Sequence, residues 1–125
     1  MGYYKKEIGA LGEKEAEKYL IQHHYKILEK NYRCKCGEID IIAKDGEYIV
    51  FIEVKTRRDT RFGMPSEAVH YHKRRKIIQT AQQYLTWQNA YHANVRFDVV
   101  EVIAEIKDDK PLVKSRQLIK NAFQV

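Results

Sequence analysis

The sequence predicts a single α/β domain, on three observations. Two segments, about Ile8–His24 and Ser66–Trp87, carry apolar residues at the helical period, while the stretches around them read as strands. Gly37–Lys55 (GEIDIIAKDGEYIVFIEVK) alternates apolar and polar residues on either side of Asp45-Gly46, a strong hairpin signal. Val95–Ile106 (VRFDVVEVIAEI) has the near-continuous apolar character of a strand covered on both faces. One domain over residues 1–125 accommodates these elements, and that length supports a core without disulfide or metal staples.

In the first helix Ile8, Gly12, Ala16, Tyr19 and Leu20 share a face, with Glu13 and Glu15 at its borders. Gly9 and Gly12 each cost roughly 1 kcal/mol of helix propensity against alanine, so their presence predicts a tight approach of another backbone. On periodicity alone Glu13 is a solvated flank, unless this helix lies over the hairpin. Tyr25–Arg33 reads as the first strand, its alternation interrupted at Ile27-Leu28.

The hairpin follows. Ile39, Ile41 and Ala43 are expected to share an apolar face with Tyr48, Val50, Ile52 and Val54. An Asp45-Gly46 loop sets Glu38 opposite Glu53 with Asp40 as diagonal neighbour, on a face that also carries Lys55, Ile42, Ile49 and Phe51. Like charges placed opposite one another are destabilising. Two readings of this face stay open: a solvated sheet surface, or carboxylates gathered for a hard divalent cation, with Lys55 toward a negative substrate.

Beyond Lys55 a turn-rich basic segment carries Arg57, Arg58 and Arg61, either plain solvated surface or, beside the carboxylates, a phosphate-binding loop, with Pro65 near the start of the second helix. That helix turns Ile77, Ile78, Ala81, Tyr84 and Leu85 to a core. Its first turns (His70–Lys76) include Lys73, Arg74 and Lys76, which suit either a solvated face or a footprint for a nucleic-acid backbone. His70 and His72 are spaced wrongly for a paired metal site on one helical face. Asp98 lies inside an apolar strand and needs a partner; Arg96 is the nearest, so a structural ion pair is expected. Asp108-Asp109-Lys110-Pro111 is a turn, Leu112 onward an edge strand, and Gln117–Phe123 a closing helical segment.

The net charge of +6 and pI near 9.3 favour polyanionic partners, nucleic acid before anionic membrane. No apolar run approaches the roughly 18 residues that span a bilayer. The N-terminus has no apolar signal region, and Lys6 stands where a myristoylation motif wants Ser or Thr, so a cytoplasmic location is expected. Cys34 and Cys36 form a C-x-C pair without further Cys or neighbouring His, a poor zinc set, and read as reduced thiols on a strand.

The spacing Asp40-x12-Glu53-x-Lys55 resembles the metal-binding signature of the restriction-endonuclease-like nucleases. More specific phrases surround it: Gly12-Glu13-x2-Ala16-x2-Tyr19-Leu20, Asn31-x-Arg33, Gly37-Glu38-Ile39-Asp40, Phe51-x-Glu53-Val54-Lys55-Thr56-Arg57 and Pro65-x-Glu67-Ala68-Val69. Arg96-Phe97-Asp98-Val99-Val100 and Asn121-Ala122-Phe123 complete the set. Together they resemble, over nearly the whole chain, the YraN-like family of small bacterial proteins, which is similar to archaeal Holliday-junction resolvases. The resemblance implies a central mixed sheet with helices on both faces. It implies Mg²⁺ or Mn²⁺ at Asp40 and Glu53, with the Val54 carbonyl and Glu13 as further ligands, Lys55 as a catalytic partner and Glu38 in support. It also implies phosphodiester hydrolysis in DNA, branched or otherwise structured, and allows a homodimer because resolvases cut two strands. A non-catalytic nucleic-acid-binding module and a protein-interaction subunit are the alternatives on the same fold.

Overall fold

The chain runs α1 (Lys5–Gln22), β1 (Lys26–Cys34), β2 (Gly37–Asp45), β3 (Tyr48–Arg57), α2 (Tyr71–Trp87), β4 (Asn94–Lys107) and β5 (Lys110–Phe123) in a computed structural model. The structure describes residues 5–58, 70–90 and 92–124. The strands form one mixed sheet in the order β1-β2-β3-β4-β5. Only β3 and β4 pair in parallel. A parallel pair needs a crossover connection, and α2 lies within it. The architecture is consistent with a restriction-endonuclease-like α/β core.

The two helices cover opposite faces. Ala16 and Leu20 of α1 pack with Ile41, Ala43, Val50, Ile52 and Val100. On the other face Ile77, Ala81 and Tyr84 of α2 pack with Ile39, Ile42, Phe51 and Phe97. Covering both faces explains the continuous apolar character of β4. α1 ends in a left-handed residue, His24 (φ 68), and the Tyr25 N–H closes the turn onto the Leu20 carbonyl at 3.0 Å. No helix among the described residues is long and apolar enough to cross a membrane.

Four expectations need correction. The hairpin turn is Gly46-Glu47, one residue later than expected, with Asp45 paired to Tyr48 and Gly46 at φ 60. Positive φ at the first loop residue only is the type II′ pattern, which matches strand twist. Consequently Glu38 does not face Glu53; its partner is Arg33 on β1, with Arg33 Nε 3.1 Å from Glu38 Oε2. Second, Ile39 packs under α2 while Ile41 and Ala43 pack under α1, so β2 changes faces between them. Third, Gln117–Phe123 is strand, not helix. Asp108 and Asp109, both at positive φ (53 and 63), make a two-residue turn that sends β5 back along β4. Fourth, the described α2 begins at Tyr71, because His70 is extended (φ −74, ψ 160), while residues 66–69 of the expected helix lie outside the described residues. The irregularity at Ile27-Leu28 is a bulge in the β1–β2 ladder. Cys34 ends β1 and Cys36 lies in the following turn, both as free thiols.

The two helical glycines differ. A Cβ on Gly12 would lie 1.8 Å from Thr56 Oγ1 and 2.8 Å from Thr56 Cβ, so α1 rests directly on the end of β3. The close neighbour is a side chain, not the backbone expected. A Cβ on Gly9 would meet nothing within 4 Å. Gly12→Ala is therefore expected to destabilise the fold by about 1–3 kcal/mol through overpacking. Gly9→Ala is expected to stabilise it by up to about 1 kcal/mol. Urea denaturation of both variants checks this, and equal effects would contradict the asymmetry.

Candidate functional site

The β2–β3 ladder holds from Asp45↔Tyr48 to Ile41↔Ile52 and then parts. Past that point the Val54 N–H donates instead to the Asp40 carboxylate, at 2.8 Å from Oδ2. Across β2, between the pairs Lys30↔Ile41 and Tyr32↔Ile39, stands Asn31 at φ 53. Asparagine tolerates that left-handed conformation better than most residues. The face change of β2, the parting of β3 and the kink at Asn31 thus coincide at Asp40. They leave its carboxylate at the sheet rim, against Glu53 on one side and open to the α1 cleft on the other.

Glu53 is the buried member of the set, 7% exposed. Lys73, from the first turn of α2, brings Nζ within 3.0 Å of Glu53 Oε1, whereas Oε2 is buried with no hydrogen-bond donor among the described residues. The Glu53 carboxyl also abuts that of Asp40. Desolvation first, then the Asp40 charge and a shared proton, push its pKa from 4.5 up to about 8 despite Lys73. Two carboxyls forced together in a dry site either share a proton or take a cation.

On the α1 side an open cleft of about 380 Å³ is lined by Glu13, Asp40, Val54, Lys55, Thr56 and Arg58, among others. Glu13 reaches it because the Gly12–Thr56 contact seats α1 against β3. Glu13 is exposed, and partial burial followed by the charges of Asp40 and Glu38 raises its pKa above the ordinary value. The structure therefore brings Glu13, Asp40, Val54 and Lys55 to one cleft and sets Glu53 against Asp40. Glu38 is well exposed and tied to Arg33.

The basic residues divide. Arg58 is exposed and lines the cleft. Arg57 Nε lies 2.9 Å from Glu101 Oε2, and both side chains are largely buried. Lys73 is paired with Glu53, Arg74 sits 5.5 Å over the Phe123 ring, and Lys76 is exposed beside a second hollow with Gly37, His70 and His72. Arg61 lies outside the described residues. Sequence reading missed Glu101, 2% exposed and opposite Lys55 in the β3–β4 register. The available signal was the one that singled out Asp98, a carboxylate inside an apolar strand.

Among the described residues no three carboxylate, histidine or cysteine side chains are drawn together closely enough to hold a metal ion. The donor set nevertheless fits Mg²⁺ or Mn²⁺. These ions keep several waters and are held by one or two carboxylates with substrate phosphates, not by a closed protein cage. The Asp40–Glu53 carboxyl pair, with Glu53 Oε2 buried and donor-free, supplies oxygen ligands and, once the shared proton is lost, the negative charge that such an ion requires.

The family model described as "Uncharacterised protein family UPF0102" matches residues 12–102. A UPF0102 protein of Clostridium kluyveri is 50% identical over 125 residues, covering all of both chains. Those of Caldanaerobacter subterraneus and Caldicellulosiruptor saccharolyticus are each 48% identical over 119 residues, covering 95% of this chain and 96% and 98% of theirs. The matched span takes in Glu13, Asp40, Glu53, Lys55 and the buried Asp98. The chain belongs to the UPF0102 family, the YraN-like group.

Proposed function

We propose that the protein is a metal-dependent endonuclease that hydrolyses phosphodiester bonds in DNA, branched or otherwise structured DNA included. The observation that carries this reading is the Asp40–Glu53 carboxyl pair: Glu53 Oε2 is buried without a donor, and Asp40 lines a cleft together with Lys55 and Arg58. Asp40 and Glu53 would hold Mg²⁺ or Mn²⁺, with the Val54 carbonyl and Glu13 as the protein's further ligands. When bound there, a divalent ion would supply acidified water near neutral pH and offset charge developing on the phosphate. The Val54 N–H fixes the Asp40 carboxylate, and the Gly12–Thr56 contact fixes Glu13. Lys55 neutralises the non-bridging phosphoryl oxygens. Arg58, the connecting segment with Arg61, and the start of α2 grip the backbone, so binding is salt-sensitive with little sequence preference.

Incubation with linear, nicked, flapped and four-way-junction DNA in Mg²⁺ or Mn²⁺, beside Asp40→Ala, tests the proposal. Metal-dependent cleavage that falls by at least about 10²-fold in Asp40→Ala is expected. Cleavage undiminished in Asp40→Ala contradicts the mechanism. Binding without cleavage in either metal favours the nucleic-acid-binding module. Neither binding nor cleavage at low salt leaves a protein-interaction subunit.

A further inference from the structure

Lys73 is the one residue of α2 seen to touch the carboxyl pair, and its situation is unusual. It stands in the first turn of a helix that has no acidic residue there. A cation at that end opposes the helix macrodipole. Arg74, Arg75 and Lys76 follow directly, so its neighbours along the chain repel it as well. Its side chain is 48% exposed and free to extend into water, yet Nζ lies 3.0 Å from a Glu53 side chain that is only 8% exposed. The helix does not hold the ammonium there; Glu53 does.

We propose that Lys73 is the built-in counter-ion of the cation site. It balances the charge of the proton-sharing Asp40–Glu53 pair while no divalent ion is bound, is displaced when one enters, and then turns to the phosphate backbone of the substrate. This rests on the reading of Asp40 and Glu53 as cation ligands, and deepens it by making the site regulate its own charge. A monovalent cation hydrogen-bonded to Glu53 Oε1 and a divalent ion held by Glu53 and Asp40 would repel one another at close range, on the buried side of a half-exposed lysine. The two occupancies compete. Because linkage is reciprocal, whatever affinity the ion loses to Lys73, Lys73 loses to the ion. The lysine keeps the carboxyl from standing alone in the empty site and, once released, adds a charge where the anionic substrate arrives.

Mn²⁺ affinity, measured by electron paramagnetic resonance of the free ion at pH 7.5, tests this without any reliance on activity. Lys73→Met is compared with wild type and with Lys76→Met, which removes the same charge from the same helix. Expected is Mn²⁺ binding tighter by on the order of tenfold in Lys73→Met, with a much smaller change in Lys76→Met. Lys73→Arg, which keeps the charge, is expected to stay near wild type. Equal gains in Lys73→Met and Lys76→Met, or weaker binding in Lys73→Met, overturn the counter-ion role and leave the cation site standing. If neither wild type nor Lys73→Met takes up Mn²⁺, the cation site itself falls, and the counter-ion role with it.

Discussion

Glu53→Gln is expected to stabilise the cation-free protein at pH 8 by on the order of 2–4 kcal/mol, although it removes a residue assigned to the site. Glu53 titrates at about 8 in the folded protein, against 4.5 when unperturbed. Between those values the folded state keeps a proton that the unfolded chain releases, so the folded state binds more protons. Stability therefore falls as pH rises through that window; the penalty is absent below its lower end and full above its upper end. Glutamine carries no such titration. Its stability curve should separate from the wild-type curve across this range, and denaturant unfolding at pH 5 and pH 8 measures the gap. A wild-type protein that matches Glu53→Gln at both pH values contradicts the burial argument. Burial of this kind, a cost in stability retained at a functional position, is what a cation ligand placed in a dry wall would produce.

Asp98→Ala is expected to cost about 3–5 kcal/mol, a large share of the stability of a domain this size, and to lower Tm by roughly 10–20 °C. Asp98 is 0% exposed and accepts from Tyr25 Oη, Arg96 Nε and Nη2, and the Asn121 N–H, all at 2.9 Å. Arg96 reaches on to Asp45 at 2.7 Å and stacks over Tyr48. Burial and the Asp98 charge hold the Tyr25 phenol protonated well beyond its usual range. Removing the carboxylate takes two acceptors from the Arg96 guanidinium, leaving it on Asp45 and Tyr25, and leaves the Tyr25 O–H and the Asn121 N–H without their acceptor. Asp98→Asn, which keeps the volume but turns one acceptor into a donor facing Arg96, should cost less. Thermal unfolding of the two variants distinguishes this from simple packing, and a loss below about 1 kcal/mol in Asp98→Ala would contradict it. The same bonds explain why β5 is strand to its end. Lys120, Asn121 and Ala122 bulge opposite Asp98, and Asn121 at φ 53 aims its N–H at the carboxylate.

These two carboxylates show what was legible in the sequence. Asp98 was readable as a buried ion pair with Arg96, because a charge in a doubly covered strand must be matched nearby. Its bonds to Tyr25 and Asn121 were not, since both are distant in sequence and depend on the sheet order. The helices and most strands followed from periodicity, and Gly12 marked a close approach. The closing segment was misread because a bulge breaks the alternation that would have marked it as strand. At the hairpin, composition and alternation identified Glu38, Asp40, Glu53 and Lys55 as a group. A turn shifted by one residue and a face change at Asp40 then altered which carboxyls meet. Glu38 pairs with Arg33, and Asp40 meets Glu53. A face change depends on the backbone at Asn31, one strand away, where a residue's tolerance for positive φ gives only a weak signal. In the sequence Lys73 belongs to a basic run, and its pairing with Glu53 depends on how α2 packs.

The central claim is that Asp40 and Glu53 form a divalent-cation site, and Mn²⁺-dependent stabilisation tests it most directly. Thermal unfolding at pH 8 with and without millimolar Mn²⁺ should show a rise in Tm for the wild-type protein, since an ion that binds only the folded state stabilises it. The rise should disappear in Asp40→Ala and in Glu53→Gln. A wild-type Tm unmoved by Mn²⁺, or a rise that persists in both variants, would contradict the claim.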